Sequence, residues 1–284
     1  MTNYGGIPKE YSQLETSEIV ILPVPYDGTS TWIKGADKGP EALLEASANM
    51  ELYDIETESE VYKKGIYTAP FINEKESPEK MVEAVYKEAK KYVNSGKFLV
   101  TIGGEHSISS APAKAICEKY KNVTVLQIDA HSDLRPEYEG SKYNHACVMA
   151  RIQEFCPILQ VGIRSMDTVE LPNMDKARVY FAHEIRKNHL WITDLVKQLT
   201  ENTYITIDLD GFDPSILPAT GTPEPGGLLW EQVMDLMIAV NKNSNIVGLD
   251  IMELCPNENH PASNFLATKL IYRILSEKYF GLTK

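Results

Sequence analysis

Acidic and imidazole side chains recur in this chain in short clusters whose spacing suits metal binding. Asp129-Ala-His-Ser-Asp133 places an aspartate, a histidine and an aspartate two residues apart. Side chains alternate along a strand with period two. Asp129, His131 and Asp133, at a strand end, can therefore be aimed at one point. Asp208 and Asp210 repeat the spacing in Asp208-Leu-Asp-Gly-Phe-Asp213-Pro214, and His106 in Gly103-Gly-Glu-His106 is a sixth candidate. Carboxylates packed this closely repel one another and lose solvation on burial. Two divalent cations offset both costs. A set of oxygen and imidazole ligands without thiolate suits Mn2+, with Zn2+, Co2+ or Fe2+ as alternatives. Ions about 3.5–4 Å apart lower the pKa of a shared water toward neutrality, which supplies a strong nucleophile for a poor electrophile. A lone Asp-x-Asp is more often a turn or a cap, and a lone histidine more often a loop residue. The joint pattern is what favours a two-metal hydrolase. Asp213, ahead of a proline, reads as the start of a turn. Asp250 reads as structural, and Glu105 as a cap or a supporting group.

These clusters need strands to position them. Apolar runs at Ile19–Val24, Phe98–Ile102, Val123–Ile128, Ile158–Gly162, Arg178–Phe181, Tyr204–Leu209 and Ile246–Ile251 are expected to be strands. Several are apolar on both faces, which fits buried parallel strands. Ser77-Pro-Glu-Lys80 opens a periodic stretch that stops at Ser95-Gly96, with a cap residue, a first-turn proline and early acid. Further helices are expected from Gly39, over Thr193–Leu199, over Leu229–Val240 and over Ala262–Leu275. The alternation predicts one three-layer α/β/α domain over residues 1–284, with a mostly parallel sheet. The clusters at His106, Asp129, Asp208 and Asp250-Ile-Met-Glu253 then follow four strands at their carboxyl ends, where open parallel sheets gather their sites.

Composition narrows the partners. Apolar residues make up 43% and charged residues 24%, and the formal net charge is −12. That balance repels nucleic acid and anionic lipid and suits a small cationic substrate. Cys117, Cys147, Cys156 and Cys255 form no CxxC pair or metal-finger spacing. No basic-then-apolar leader follows Met1, and no apolar run approaches the roughly 20 residues of a membrane span. A cytoplasmic location is expected.

The motifs Gly103-Gly-Glu-His-Ser107, Asp129-Ala-His-Ser-Asp133 and Ile207-Asp-Leu-Asp-Gly-Phe-Asp-Pro214 resemble those of the ureohydrolases, the arginase and agmatinase family of two-manganese enzymes. The similarity runs from Pro25-Tyr-Asp-Gly-Thr29 through Lys38-Gly-Pro-Glu-Ala42 to the C-terminal helix. The resemblance implies that His106, Asp129, Asp133 and Asp208 hold one Mn2+. Asp129, His131, Asp208 and Asp210 would hold the other, with Asp129 and Asp208 bridging. It also implies an arginase-like three-layer fold and a homo-trimer or homo-hexamer. Asp133-Leu-Arg-Pro-Glu-Tyr-Glu-Gly140, Asn144-His145 and Gly221-Thr-Pro-Glu-Pro-Gly-Gly227 are similar to bacterial agmatinases. The implied reaction turns agmatine and water into putrescine and urea, a step of polyamine metabolism. In that role Glu253 would grip the guanidinium through charge-assisted hydrogen bonds, and His145 would shuttle a proton.

Some residues depart from that pattern or leave alternatives open. Agmatinases commonly follow the Glu253 position with proline and then Tyr-Asp. This chain has Cys255-Pro-Asn-Glu-Asn-His260, one residue shorter, and the segment is expected at the mouth of the site. Arg135 is expected to pair with Glu137 or Glu139 rather than with a substrate carboxylate. Cys147 and Cys255 are expected to be inert thiols near the pocket, and His183, His189 and His260 to be loop or surface residues. Arginine, guanidinobutyrate or formiminoglutamate remain alternative substrates. A two-metal phosphatase or deacetylase, or a non-catalytic family member, is disfavoured by the missing basic cluster and by the complete ligand set.

Overall fold

The structure is a computed structural model and describes residues 3–281. Its centre is one eight-stranded sheet. The strands are β1 Ile19–Val24, β2 Ile66–Thr68, β3 Phe98–Gly103, β4 Val123–Ile128, β5 Ile158–Ile163, β6 Val179–Phe181, β7 Asn202–Asp208 and β8 Asn245–Met252. They lie in the order β2-β1-β3-β8-β7-β4-β5-β6, and every pairing is parallel. Alternate residues enter separate cores. Ile19 and Ile21 face one, while Val20, Leu22 and Val24 face the other. Because both faces are covered, strands such as β1 and β4 are buried throughout.

Helices supply the two outer layers. They are α1 Gly39–Ser47, α2 Pro78–Asn94, α3 Ser110–Lys119, α4 Val148–Ile152, α5 Ala182–Ile185, α6 Trp191–Val196, α7 Trp230–Asn243 and α8 Pro261–Phe280. Leu43, Leu195, Val233 and Leu270 place α1, α6, α7 and α8 against the first face. Met81, Val85, Ile116 and Val148 place α2, α3 and α4 against the second. The α2 start forms as the sequence indicates, with the Ser77 hydroxyl accepting from Lys80 N at 3.2 Å. The seven expected strands are present within a few residues. The short edge strand β2 and the helices α3, α4 and α5 are additions. No described helix is long and apolar enough to cross a membrane.

Topology decides where chemistry can occur. The chain leaves β3, crosses past the places of β8 and β7, and re-enters the sheet at β4. The neighbours β7 and β4 then send their connections in opposite directions, to β8 and to β5, which makes a switch point whose crevice lies at the carboxyl edge. The middle four strands β3, β8, β7 and β4 end side by side there. The turn after β3 is locked by contact. A Cβ on Gly104 would lie 1.9 Å from the Tyr26 carbonyl oxygen, and Glu105 N donates to that oxygen at 2.9 Å. Only glycine allows the loop after β1 to close over the end of β3.

Candidate metal centre and catalytic cleft

His106 follows β3 and is buried. Its Nδ1 lies 3.0 Å from Asp129 Oδ2, 3.2 Å from Asp133 Oδ2 and 3.3 Å from Asp208 Oδ2. Its Nε2 is 2.8 Å from the Thr206 hydroxyl. That hydroxyl donates to Asp250 Oδ1 at 2.7 Å, a charged acceptor that outcompetes the Ser109 hydroxyl at 3.2 Å. Thr206 therefore accepts from His106 Nε2–H, and the Nδ1 lone pair is left facing three carboxylate oxygens. No hydrogen bond satisfies this buried Nδ1. An acceptor nitrogen ringed by acceptor oxygens fits a cation among them.

A second set adjoins the first. His131 Nδ1 lies 3.0 Å from Asp210 Oδ2 and 3.7 Å from Asp129 Oδ1. His106, Asp129 and Asp208 each offer a ligand atom within 4.8 Å of the others, and so do Asp129, His131 and Asp210. Asp129 belongs to both sets. It is fully buried, and Gln127 Nε2 donates to its Oδ2 at 2.6 Å. Gln160 in turn orients Gln127. Asp210 Oδ1 accepts from Ala130 N at 3.1 Å, and Asp208 Oδ1 from Asp210 N at 2.9 Å. Two ions with these donor sets would find oxygen and imidazole ligands already aimed inward.

The electrostatics show what packing these groups costs. Burial, then Asp129, pushes the Asp133 carboxyl up to about 7. Burial, then Asp210 and Asp129, raises Asp208 well above the usual carboxylate range. Burial acts against a charged His106, but the surrounding Asp129, Asp133 and Asp208 carboxylates win and hold its pKa well above the ordinary value.

Glu253 and His145 reach the same cleft from other elements. Glu253 follows β8 with φ +65°, and Asp133 has φ +52°. Such left-handed backbone is uncommon outside glycine and gathers at functional sites. Glu253 Oε1 accepts from His106 N at 2.7 Å. Burial, then Glu105, holds its carboxyl well above the ordinary value. His145 opens a short turn capped by Asn144, and its Nδ1 and backbone N lie 3.1 and 3.0 Å from the Thr29 hydroxyl. Burial, then the charges of His131 and His106, lowers its pKa to about 4.

Two adjoining cavities receive these groups. The inner one, about 30 Å³, is lined by His106, His131, Asp133, Asp208, Asp210, His145 and Glu253, with Asp129 beneath. The outer one, about 260 Å³, shares Thr31, His131, Asp133, His145 and Thr222 with it. All eight expected site residues are thus brought together. Arg135 lines the outer cavity, and its partners differ from expectation. They are Asp167 at 3.3 Å and Glu170 at 3.8 Å, not Glu137 or Glu139. Its guanidinium also stacks 4.4 Å from the Tyr138 ring centroid. The Cys255–His260 segment, expected at the mouth, lines neither cavity. Cys255 N bonds to Ala219 O and its thiol faces Lys34 O, which turns this chain away. Cys147 is also turned aside, with its thiol pushed up to about 11 by burial and then Asp133. His183, His189 and His260 are exposed.

Sequence reasoning missed the neutral groups that aim the charged ones. Gln127 and Thr206 stand two residues before Asp129 and Asp208 on the same strand faces, so period two could have found them. Thr29 comes from a loop, and only the fold brings it to His145.

Comparison with known proteins agrees with this geometry. A curated relative from Synechocystis, an N(1)-aminopropylagmatine ureohydrolase, is 37% identical over 96% of this chain and 94% of its own length. An agmatinase of Pyrococcus horikoshii is 31% identical over 92% of each. The crystal structure of an agmatine ureohydrolase of Thermoplasma volcanium superposes with a TM-score of 0.88 at 30% identity, covering 98% of this chain and 94% of that one. The profile of the Arginase family matches residues 17–276, and the chain belongs to that family of hydrolases.

Proposed function

We propose that this chain hydrolyses a guanidino C–N bond with release of urea, and that its substrate is agmatine or a longer amine built on it. The observation that supports this best is the meeting of Glu253 and His145 with both Asp/His sets on one inner cavity. His106, Asp129, Asp133 and Asp208 would hold one Mn2+, and Asp129, His131, Asp208 and Asp210 the other. When bound, the ions would supply Lewis acidity and a hydroxide-like nucleophile near neutral pH.

The protein's own groups do the rest. Glu253 spends one carboxylate oxygen on His106 N, which fixes its angle and leaves the other oxygen for the guanidinium. A buried carboxyl that holds its proton tightly is ionised most readily by an arriving cation, so Glu253 selects for positive charge. His145 lines both cavities, which supports a role for it in passing a proton to the departing amine.

Arg135 argues about the substrate's far end. Two carboxylates already neutralise it, so it offers no free charge to a guanidino acid. A tail without a carboxylate fits. The outer cavity, with Asp167 and Glu170 in its wall, also has room for an aminopropyl extension. That favours N1-aminopropylagmatine as a second reading, in keeping with the Synechocystis relative. Urea release over a panel of agmatine, N1-aminopropylagmatine, arginine and 4-guanidinobutyrate tests this. The amines should turn over at least about 10-fold faster than the acids, a difference of about 1.4 kcal/mol. Faster turnover of either acid would overturn the assignment.

A further inference from the structure

Glu105 is fully buried beside the cleft, and nothing in the reaction described above uses it. Its Oε2 accepts from the backbone N of Thr29 and of Ser30. Its Oε1 accepts from the hydroxyls of Thr29 and Ser107, each at 2.6 Å. Burial raises this carboxyl's pKa, and these hydrogen bonds oppose the rise. Donors fill all the lone-pair sites of a carboxylate, so Glu105 here is an acceptor only.

The consequence passes through Thr29. Its hydroxyl has one proton to give and two lone pairs to share. The proton is contested by Glu105 Oε1 at 2.6 Å and His145 Nδ1 at 3.1 Å. A charged oxygen at the shorter distance wins over a neutral nitrogen at the longer one. Both lone pairs are then left for His145, one for its backbone N–H at 3.0 Å and one for its ring. The ring must therefore donate at Nδ1. Asp250, Thr206 and His106 form the same carboxylate–hydroxyl–imidazole series elsewhere in the site.

We propose that Thr29, anchored by Glu105, is a positioning residue that holds His145 in its Nδ1–H tautomer and leaves Nε2 as the one nitrogen that exchanges protons with the cleft. The proposal rests on the reading of His145 as the proton shuttle. It explains why a carboxylate is buried with no Lys or Arg partner among the described residues. The Glu105 charge commits the Thr29 proton, and that commitment decides which face of the imidazole is basic.

Full-length Thr29→Val, Thr29→Ser and His145→Asn variants test it. The readouts are kcat and KM for urea release, bound metal by elemental analysis, and the 15N shifts of the His145 ring in the Zn2+-loaded, 15N-histidine-labelled chain. His145→Asn identifies the signal. Native protein should show Nδ1–H. Thr29→Val, which keeps the shape and loses the hydroxyl, should lose that preference and lower kcat about 10- to 100-fold. Its KM should stay within about twofold and its metal content should be unchanged. Thr29→Ser should restore both the tautomer and most of kcat. An Nε2–H signal in native protein, native kcat in Thr29→Val, or no rescue by serine would each overturn the proposal. Should Thr29→Val fail to fold, the native spectrum and the serine variant still decide. Native kcat in His145→Asn would instead remove the shuttle reading itself.

Discussion

Several charged groups in the cleft are held by neutral ones. Gln127 fixes Asp129, Thr206 fixes the tautomer of His106, and the backbone of His106 fixes Glu253. Substitution of Glu253 separates substrate binding from the metal centre. Glu253→Gln should keep its metals and lower kcat/KM about 10- to 100-fold, the worth of a charged hydrogen bond of about 1.5–3 kcal/mol. Steady-state kinetics with parallel metal analysis will show this, and unchanged kinetics would take Glu253 out of the site. The charged residues were legible in the sequence because their spacing makes sense only if many carboxylates share one point. The supporting groups were not. A glutamine or threonine in an apolar strand reads as packing, and Thr29 acquires meaning only when the loop after β1 meets Glu105 and His145. Arg135 was misjudged for a related reason. Its partners Asp167 and Glu170 lie far along the chain, whereas Glu137 and Glu139 were close in sequence.

At the scale of elements, the site depends on neighbouring strand ends held in register. β3 pairs with β1 over its whole length, so Gly103 is opposite Val24 and the Tyr26 loop falls directly over Gly104. Gly104→Ala inserts a methyl where the Tyr26 carbonyl sits. The loop carrying Thr29 must lift, and the Glu105 hydrogen bonds go with it. Overpacking of this kind costs about 1–3 kcal/mol, or a fall in Tm of about 2–12 °C for a chain of this size. A thermal melt matching the native one would contradict the close contact. Most strands were legible because a run that is apolar on both faces has few other fates. β2 was not, since three residues at a sheet edge show no periodicity. α3 escaped because its first turn, Ser110-Ala-Pro-Ala113, is small and interrupted by proline. The order of strands was also hidden. Nothing in the local pattern says that β8 and β7 separate β3 from β4, yet that order lines up the four clusters.

The molecule as a whole carries its charge balance into stability. Burial raises Asp133 to about 7 and Asp250 to about 6, from ordinary values near 3.8, and raises Asp208 and Glu253 well above theirs. Groups whose folded pKa is raised stabilise the fold below the unfolded pKa, and that contribution is lost as pH rises through the folded one. The metal-free chain should therefore weaken between pH 5.5 and pH 8. Against burial the histidines hold Asp129 low, so it opposes this only at the acid end, and His145, lowered to about 4, opposes it only up to its unfolded value of about 6.5. Cations take the place of those protons, so metal affinity should rise with pH. Mn2+ at about a hundredfold excess over Kd adds about 2.7 kcal/mol per site at pH 8, or about 5–10 °C in Tm. The gain at pH 5.5 should be less than about half of that. Melts with Mn2+ and with chelator at both pH values will check the sign, and a larger gain at the lower pH would refute it.

All of these expectations depend on a pair of cations caged by His106, Asp129, His131, Asp133, Asp208 and Asp210. Elemental analysis of the full-length chain after dialysis against Mn2+, run beside Asp129→Asn, tests that most directly. Two manganese ions per native chain, with metal and urea release lost together in the variant, is the predicted result. A native chain without metal, or a variant that keeps both ions, would contradict it.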